Sequence, residues 1–301
     1  MDRVSQRPSR PLRELRGSEL FRFRGKAPHC HRTHCQSGLG WLSFSGHARS
    51  AALTKRRITP NHIAVRIRRV LKDGGSASHA KGVQWLFKEE IKSRGWYTAE
   101  LRKVAIRFRR AIVHEVGTDC LLRVSDKLFQ GRVLEEKVFA VFLLEELVDK
   151  FGDREFRLFE SWLPRISSWA DHDALVHHLI APMVAAKTAR AKDVLVWAKC
   201  PSRWHRRAAC VALLQGTRQK VFLLQIKQLR NLLLRDEDDM VQKGLGWLLR
   251  ETAKADPKRT VPYLMKIRQR APRLLLRTAC ETLPKPTRAK LLPYLGFQRR
   301  S

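Results

Sequence analysis

The chain has 301 residues, with 61 Lys and Arg against 28 Asp and Glu, a formal charge of +33. That length suits one large domain or two small ones, and an apolar content of 44% is enough for a sizeable core. The balance excludes an acidic solvating chain, a collagen-like fibre and wholesale disorder, and it points to a polyanionic partner: nucleic acid first, an anionic membrane surface second.

Residues 1–58 hold thirteen Lys and Arg and three acids, Asp2, Glu14 and Glu19, so +10 of the charge lies here and +23 in the rest. This segment lacks helical periodicity and is rich in Ser, Gly and Pro, and it reads as a disordered basic extension. It has no apolar core of a secretory signal, although its Arg-rich, acid-poor composition fits an organelle transit peptide or a start codon assigned too early. No stretch approaches 18 uninterrupted apolar residues, so no membrane span is expected. The six cysteines, Cys30, Cys35, Cys120, Cys200, Cys210 and Cys280, are scattered, which fits reduced thiols in an intracellular compartment. The run from His29 to Cys35 resembles half a zinc site, but no second ligand pair follows at finger spacing, and an accidental cluster is the preferred reading.

Residues 59–301 read as one domain built of helix after helix. Ile63, Val65, Ile67, Val70 and Leu71 form a short apolar stripe. Thr98 is placed to N-cap a helix through Leu101, Val104, Ala105, Phe108 and Ile112, at the 3–4 spacing of an amphipathic helix. Val133–Phe151 predicts a longer, more buried helix. Further helices are expected over 154–166, 169–186, 190–199, 202–216, 220–235, 238–254, 257–269 and 272–283, separated by breakers such as Gly152, Pro201, Gly216, Pro257 and Pro272. No alternating strand or hairpin signal occurs, so the fold class is all-α. Short helices joined by short turns suit stacked antiparallel pairs, an α-solenoid. Trp169 to Trp204 is 35 residues, Asp173 to Arg207 is 34 and Arg207 to Trp247 is 40, the length of one HEAT-like helical pair. Residues one repeat apart share a face, and a concave basic face bearing Trp and Arg is what a phosphate-backbone binder needs.

Three segments carry the candidate chemistry: Ser168-Trp169-Ala170-Asp171-His172-Asp173, then Trp204-His205-Arg206-Arg207-Ala208-Ala209, then Gln242-Lys243-Gly244-Leu245-Gly246-Trp247-Leu248-Leu249-Arg250-Glu251 with Asp256-Pro257 behind it. Trp followed four residues later by Asp, Trp-x-x-Arg-Ala-Ala, and Gln-Lys-x-x-Gly-Trp-x-x-Arg-Glu together resemble the DNA alkylation repair glycosylases of the AlkD type, over roughly residues 60–295. Leu101-Arg102-Lys103 and Leu134-Glu135-Glu136-Lys137 resemble that family's N-terminal repeats. The resemblance implies a HEAT-like-repeat enzyme that excises cationic N3- and N7-alkylated purines from double-stranded DNA, as a monomer and without cofactor. It implies Asp173 as the catalytic carboxylate and Arg207 as the active-site arginine, with Trp169 and Trp247 flanking the lesion. Trp204, Arg206, Lys243 and Arg250 complete the set assigned to DNA. The expected location is then the cytoplasm, on DNA, with organelle targeting by residues 1–58 as the alternative. The chain has Trp169-Ala170 where some relatives have a doubled Trp.

The residue types suit that chemistry. A cationic purine is already a good leaving group, so what remains is to stabilise an oxocarbenium-like sugar and place a water, and one carboxylate does both. Indole faces attract a cation by about 0.5–2 kcal/mol each. Arg grips phosphate with a forked contact. Competing readings are specific. Asp171 rivals Asp173, but a spacing of four puts Trp169 and Asp173 on one helix face. Arg206 is the fallback for Arg207, both Trp residues fit a core role, and Arg250 fits either a phosphate contact or an ion pair. Asp173 with His177, and His172 and His178 nearby, lacks a third ligand at sensible spacing, so no metal is expected. Asp236-Glu237-Asp238-Asp239 reads as a helix cap. A non-catalytic DNA-binding solenoid is the main alternative function, and a scaffold for an acidic protein comes third.

Overall fold

The computed structural model describes residues 59–292, and the expectations for 1–58, Cys30 and Cys35 among them, lie outside the described residues. Within that span the chain is helical from end to end and has no strand, only an isolated bridge between Lys92 and Val133. No helix there is long and apolar enough to cross a membrane. Helix α1 (Pro60–Asp73) starts at Pro60, where the missing N–H costs nothing, and Thr59 Oγ1 accepts from His62 N at 3.3 Å. It buries Ala64, Ile67 and Leu71. A short α2 (Ala77–Gln84) follows, then α3 (Thr98–Phe129), in which Gly117 at φ 82° breaks two helical halves apart. Thr98 is the first helical residue and not the cap; Tyr97 holds the cap position without a side-chain bond. The helix expected over Val133–Phe151 is α4 (Leu134–Leu144), tightened into a 3-10 segment from Glu145 to Lys150.

Downstream come α5 (Asp153–Glu160), α6 (Trp169–Leu175), α7 (Ala181–Ala186), α8 (Ala191–Trp197), α9 (Arg203–Val211), α10 (Leu223–Leu233), α11 (Asp239–Ala255), α12 (Pro257–Ile267), α13 (Arg273–Cys280) and α14 (Lys285–Leu291). Helices α6 and α7 form one continuous rod across a five-residue π segment, Val176–Ile180. The cause is at hand: Pro182 has no N–H for the carbonyls one turn back, and Gln215 Nε2 donates to the His177 carbonyl at 3.3 Å instead.

The helices stack in series. Helix α3 packs on α1 and α4, α4 on α6, α6 on α9, α9 on α11 and α11 on α13, while α8, α10 and α12 back this row from behind. The polar contacts repeat the same interval. Trp162 Nε1 donates to Asp126, Trp197 Nε1 to Glu160 and Arg190 to Asp153, each 36 or 37 residues apart. Every such bond ties one helical pair to the next, so the repeat length visible in the sequence is also the span of the polar staples.

The run Leu134 to Lys137 is a three-way clamp at the head of α4. Glu135 accepts from the backbone N–H groups of Arg94 and Gly95 at 2.8 and 2.9 Å, fixing the approach to α3. Glu136 pairs with Arg68 of α1 at 2.9 Å, and Lys137 reaches forward to Asp171 of α6 at 3.0 Å. At the other end, Gly246 lets α11 touch α13: a Cβ there would stand 2.8 Å from the Leu275 carbonyl oxygen and 2.7 Å from Thr278 Cβ. Alanine at position 246 gains helix propensity but must push backbone away, so Gly246→Ala is expected to destabilise the protein by roughly 1–3 kcal/mol, read as a lower urea midpoint. An unchanged or higher midpoint would show that the α11–α13 contact yields freely.

Candidate active site

Helix α6 carries two buried acids two residues apart. At 100° per residue they point about 200° apart, to opposite sides of the helix. Asp171 faces back. Its Oδ1 accepts from Ser168 N at 2.7 Å and from the Ser168 hydroxyl at 2.6 Å, and its Oδ2 from Ser167 N at 2.9 Å and Lys137 Nζ at 3.0 Å. With the Ser167 hydroxyl on Oδ2 at 3.1 Å it has five donors, and these with full burial make it the N-terminal clasp of α6, joined to the preceding repeat.

Asp173 faces forward. Arg207 of α9 grips it as a fork, Nε to Oδ1 at 3.0 Å and Nη2 to Oδ2 at 2.8 Å, while the remaining Arg207 nitrogen donates to the Met240 carbonyl of α11 at 2.7 Å. His172 Nδ1 lies 2.7 Å from Asp173 Oδ1, and its Nε2 lies 3.2 Å from the Trp204 carbonyl. Burial pushes the His172 pKa down, toward the neutral form, against the pull of Asp173. In that form its single proton belongs on Nδ1, where the shorter contact and the carboxylate are. Burial works to raise the Asp173 pKa, but the Arg207 guanidinium and His172 outweigh it and hold the carboxyl well below the usual carboxylate range. Oδ1 therefore has two donors and Oδ2 one, which leaves one acceptor direction of Oδ2 open. The residue is 3% exposed, so this carboxylate meets solvent only at its edge.

Three tryptophans lie on the helices that carry the pair or on the next one, α6, α9 and α11. Trp169, half-buried and one turn before Asp173, stacks on Phe87 with ring centroids 4.9 Å apart and planes 20° from parallel. Trp204 lies 5.6 Å from the His172 ring, with the Arg203 guanidinium 4.9 Å over its own ring. Trp247, on α11, lies 5.7 Å from His177, the residue one turn after Asp173. Trp169, Asp173 and His177 thus follow one another along α6 and the π segment, with Arg207 and Trp247 contributed by the next two helices of the row. Burial pushes His177 toward its neutral form. Gly244 makes room for the arginine: a Cβ there would stand 3.1 Å from Arg207 Cγ.

Trp169, Asp173, Trp204, Arg207 and Trp247 are therefore brought to one region. Arg206 and Arg250, assigned to DNA from the sequence, spend their guanidinium groups inside the fold. Arg206 pairs with Asp236 at 2.7 Å and donates to the Cys200 and Pro201 carbonyls; Arg250 pairs with Glu251 and Glu281 and lies 5.9 Å over the Trp247 ring. Each is an arginine beside a site residue that locks neighbouring helices together. Lys243 is half-buried on the first turns of α11 near Asp239. Within the acidic run, Asp238 is the cap of α11, accepting from Met240 N at 2.8 Å, while Asp236 and Asp239 serve ion pairs. No group of three metal-ligating side chains occurs among the described residues. Phe87 and the bridging role of His172 escape sequence reasoning: Phe87 lies 82 residues from its partner without a motif, whereas His172 was visible beside Asp173 but was weighed only as a metal ligand and set aside.

The family described as DNA alkylation repair enzyme matches residues 67–283, well over half of the chain. Among solved structures, the chain is similar to a protein from Enterococcus faecalis described as a predicted DNA alkylation repair enzyme, with a TM-score of 0.62, 19% identity, and coverage of 70% of this chain and 97% of that one. At that identity the likeness speaks for the fold. No curated protein matches the chain.

The Asp173–Arg207 pair has a signed pH dependence. A carboxyl whose folded pKa is depressed stabilises the fold above its ordinary value of 3.8, and the contribution is lost as pH falls through the lower folded value. Arg207→Met leaves a buried, unpaired carboxylate, at a cost of about 3–5 kcal/mol at neutral pH. Burial then raises the Asp173 pKa, so protonation relieves the cost, and the stability gap between wild type and variant is expected to shrink as pH falls from 7 to 4. Urea unfolding at both pH values reads this directly; a gap that stays constant would mean Asp173 is not ionised in the fold.

Proposed function

The chain belongs to the family of DNA alkylation repair enzymes, and from that premise we propose that it is a monofunctional DNA glycosylase, acting as a monomer. It hydrolyses the N-glycosidic bond of cationic N3- and N7-alkylpurines in duplex DNA, 3-methyladenine and 7-methylguanine among them, and leaves an abasic site. The observation that carries the reading is a buried carboxylate held ionised by Arg207 and His172, with an open acceptor direction, one turn after Trp169 and one turn before the His177 that meets Trp247.

The chemistry follows from the charges. An alkylated purine leaves with the bonding electron pair and departs neutral, so no general acid is needed. The sugar becomes cationic, and Asp173 stabilises it while Oδ2 orients the incoming water. Water adds at C1′ and releases a proton to solvent. Arg207 keeps Asp173 ionised and aimed, and His172 fixes its other oxygen. Trp169 presents one face to Phe87, and its other face is assigned to the cationic base, with Trp247 flanking from α11. Such contacts contribute about 0.5–2 kcal/mol each and favour alkylated over neutral bases. The +33 charge supplies the attraction for the backbone, with Lys243 and Trp204 as local contacts. Arg206 and Arg250 contribute by holding the helices in place, and reach phosphate only by leaving Asp236 and Glu281.

One observation favours a second reading. The same fork that activates Asp173 also serves as a staple between α6 and α9, and a protein that binds DNA without cutting the glycosidic bond would need it too. Release of free bases from methylated duplex DNA separates the two. Wild type is expected to release alkylpurines, and Asp173→Asn to lose about 10²–10³-fold in rate while binding DNA within a few-fold. No release by wild type, with DNA bound at a steep salt dependence, would establish the binding-only reading.

A further inference from the structure

The segment after α2 crosses the site in a regular way. Phe87 stacks on Trp169, the first residue of α6; Glu89 pairs with Arg203, the first residue of α9, at 3.2 Å; and Lys88 pairs with Asp239, the first residue of α11. Three consecutive residues of one strap thus touch the N-terminal ends of three successive helices of the row, those that carry Asp173, Arg207 and Trp247. The strap is closed on itself by Gln84, whose Nε2 donates to the Glu89 carbonyl and whose Oε1 accepts from Ile91 N, both at 2.8 Å.

Two residues before Phe87 stands Trp85, at 89% exposure the most exposed of the large apolar side chains among the described residues. An indole left in water forgoes its burial free energy, and here the backbone on both sides of it is held: Leu86 N and Phe87 N both donate back into α2, to the Val83 and Gln84 carbonyls. The exposed ring thus stands on a held backbone, two residues from the Phe87 that stacks on Trp169, and not on a free tail. The cationic chain attracts a polyanion, and an exposed indole suits one that carries flat aromatic faces, nucleic acid.

We infer that Trp85 is a DNA contact whose indole stacks on a base of the duplex beside the lesion, held there by the strap that joins α6, α9 and α11. It deepens the glycosylase reading and rests on it for the position of the lesion. In a duplex each base face is covered by its neighbours, so the stack forms where the step beside the lesion is opened; once open it tolerates any base, and the choice stays with Trp169 and Trp247. The contact also offers a surface to a base whose neighbour has been lost, so it holds the abasic product as well as the substrate.

The test uses the full chain and a duplex with 2-aminopurine next to a tetrahydrofuran abasic analogue, which contains no base to release. Trp85→Ala is expected to weaken binding about tenfold and to abolish the 2-aminopurine fluorescence change seen with wild type. Trp85→Phe should restore most of both, and Asp173→Asn should retain the fluorescence change. Val196→Ala, an exposed apolar side chain on α8, is the control and should match wild type. On methylated DNA, Trp85→Ala should raise KM with little effect on kcat. Trp85→Ala binding within twofold of wild type, with the fluorescence change intact, would overturn the inference even where base release by wild type upholds the glycosylase. Conversely, Trp85-dependent binding by a protein that releases no base would keep the contact and remove the enzyme. Absence of any binding to DNA would end both.

Discussion

The geometry of the site depends on one buried ion pair. Asp173 and Arg207 come from helices one repeat apart, and neither is stable in the interior alone, because an isolated charge there costs several kcal/mol. They must therefore meet, and the fork leaves little freedom in how. The third nitrogen of Arg207 then fixes the Met240 carbonyl at the start of α11, so three helices share one guanidinium. That arrangement is possible because Gly244 has no side chain where the arginine stem passes. Two residues earlier on α6, Asp171 makes the equivalent bond backwards to Lys137. One helix is thus held from both sides by opposite charges, and its rotation about its own axis is set.

That opposition explains how far the sequence could be read. Helical periodicity and the interval of 34 residues between Asp173 and Arg207 belong to the repeat itself, so both were legible. The spacing of four between Trp169 and Asp173 correctly places them on one face, and it also separates Asp173 from Asp171. Choosing between Arg206 and Arg207 was harder, because adjacent residues differ by only 100° and both turn out to be paired. The α2 strap was not legible at all. Its contacts run from Phe87 to Trp169 and from Lys88 to Asp239, 151 residues away, and no local pattern encodes contacts at that range. The second half of α3 was missed for a different reason: Gly117 is a true break, but a helix resumes directly after it. The exposure of Trp85 was equally invisible, since composition assigns Trp to the interior.

The electrostatics work at two ranges. At a distance the chain is strongly cationic, which suits a phosphate backbone. Close in, the charges on α6 are balanced one for one: Asp171 by Lys137, Asp173 by Arg207. The neighbouring histidines, His172 and His177, are pushed toward their neutral forms by burial. On the proposed function, a positively charged base entering from a field that attracts its backbone would therefore meet an interior that does not repel it. An unpaired arginine or an imidazolium in the same place would do so.

The polar staples that recur at one-repeat separation give the molecule the character of a zipper. Each helical pair is held by its neighbours on either side, and among the described residues the outermost pairs are held on one side only. Opening therefore starts at the ends, around α1 and α14, and travels inward, so amide protons are shielded longest in the central rungs. Helices α6, α9 and α11, which bear Asp173, Arg207 and Trp247, are those rungs. The site occupies the part of the chain that is last to come apart, and its geometry outlasts partial fraying of either terminus.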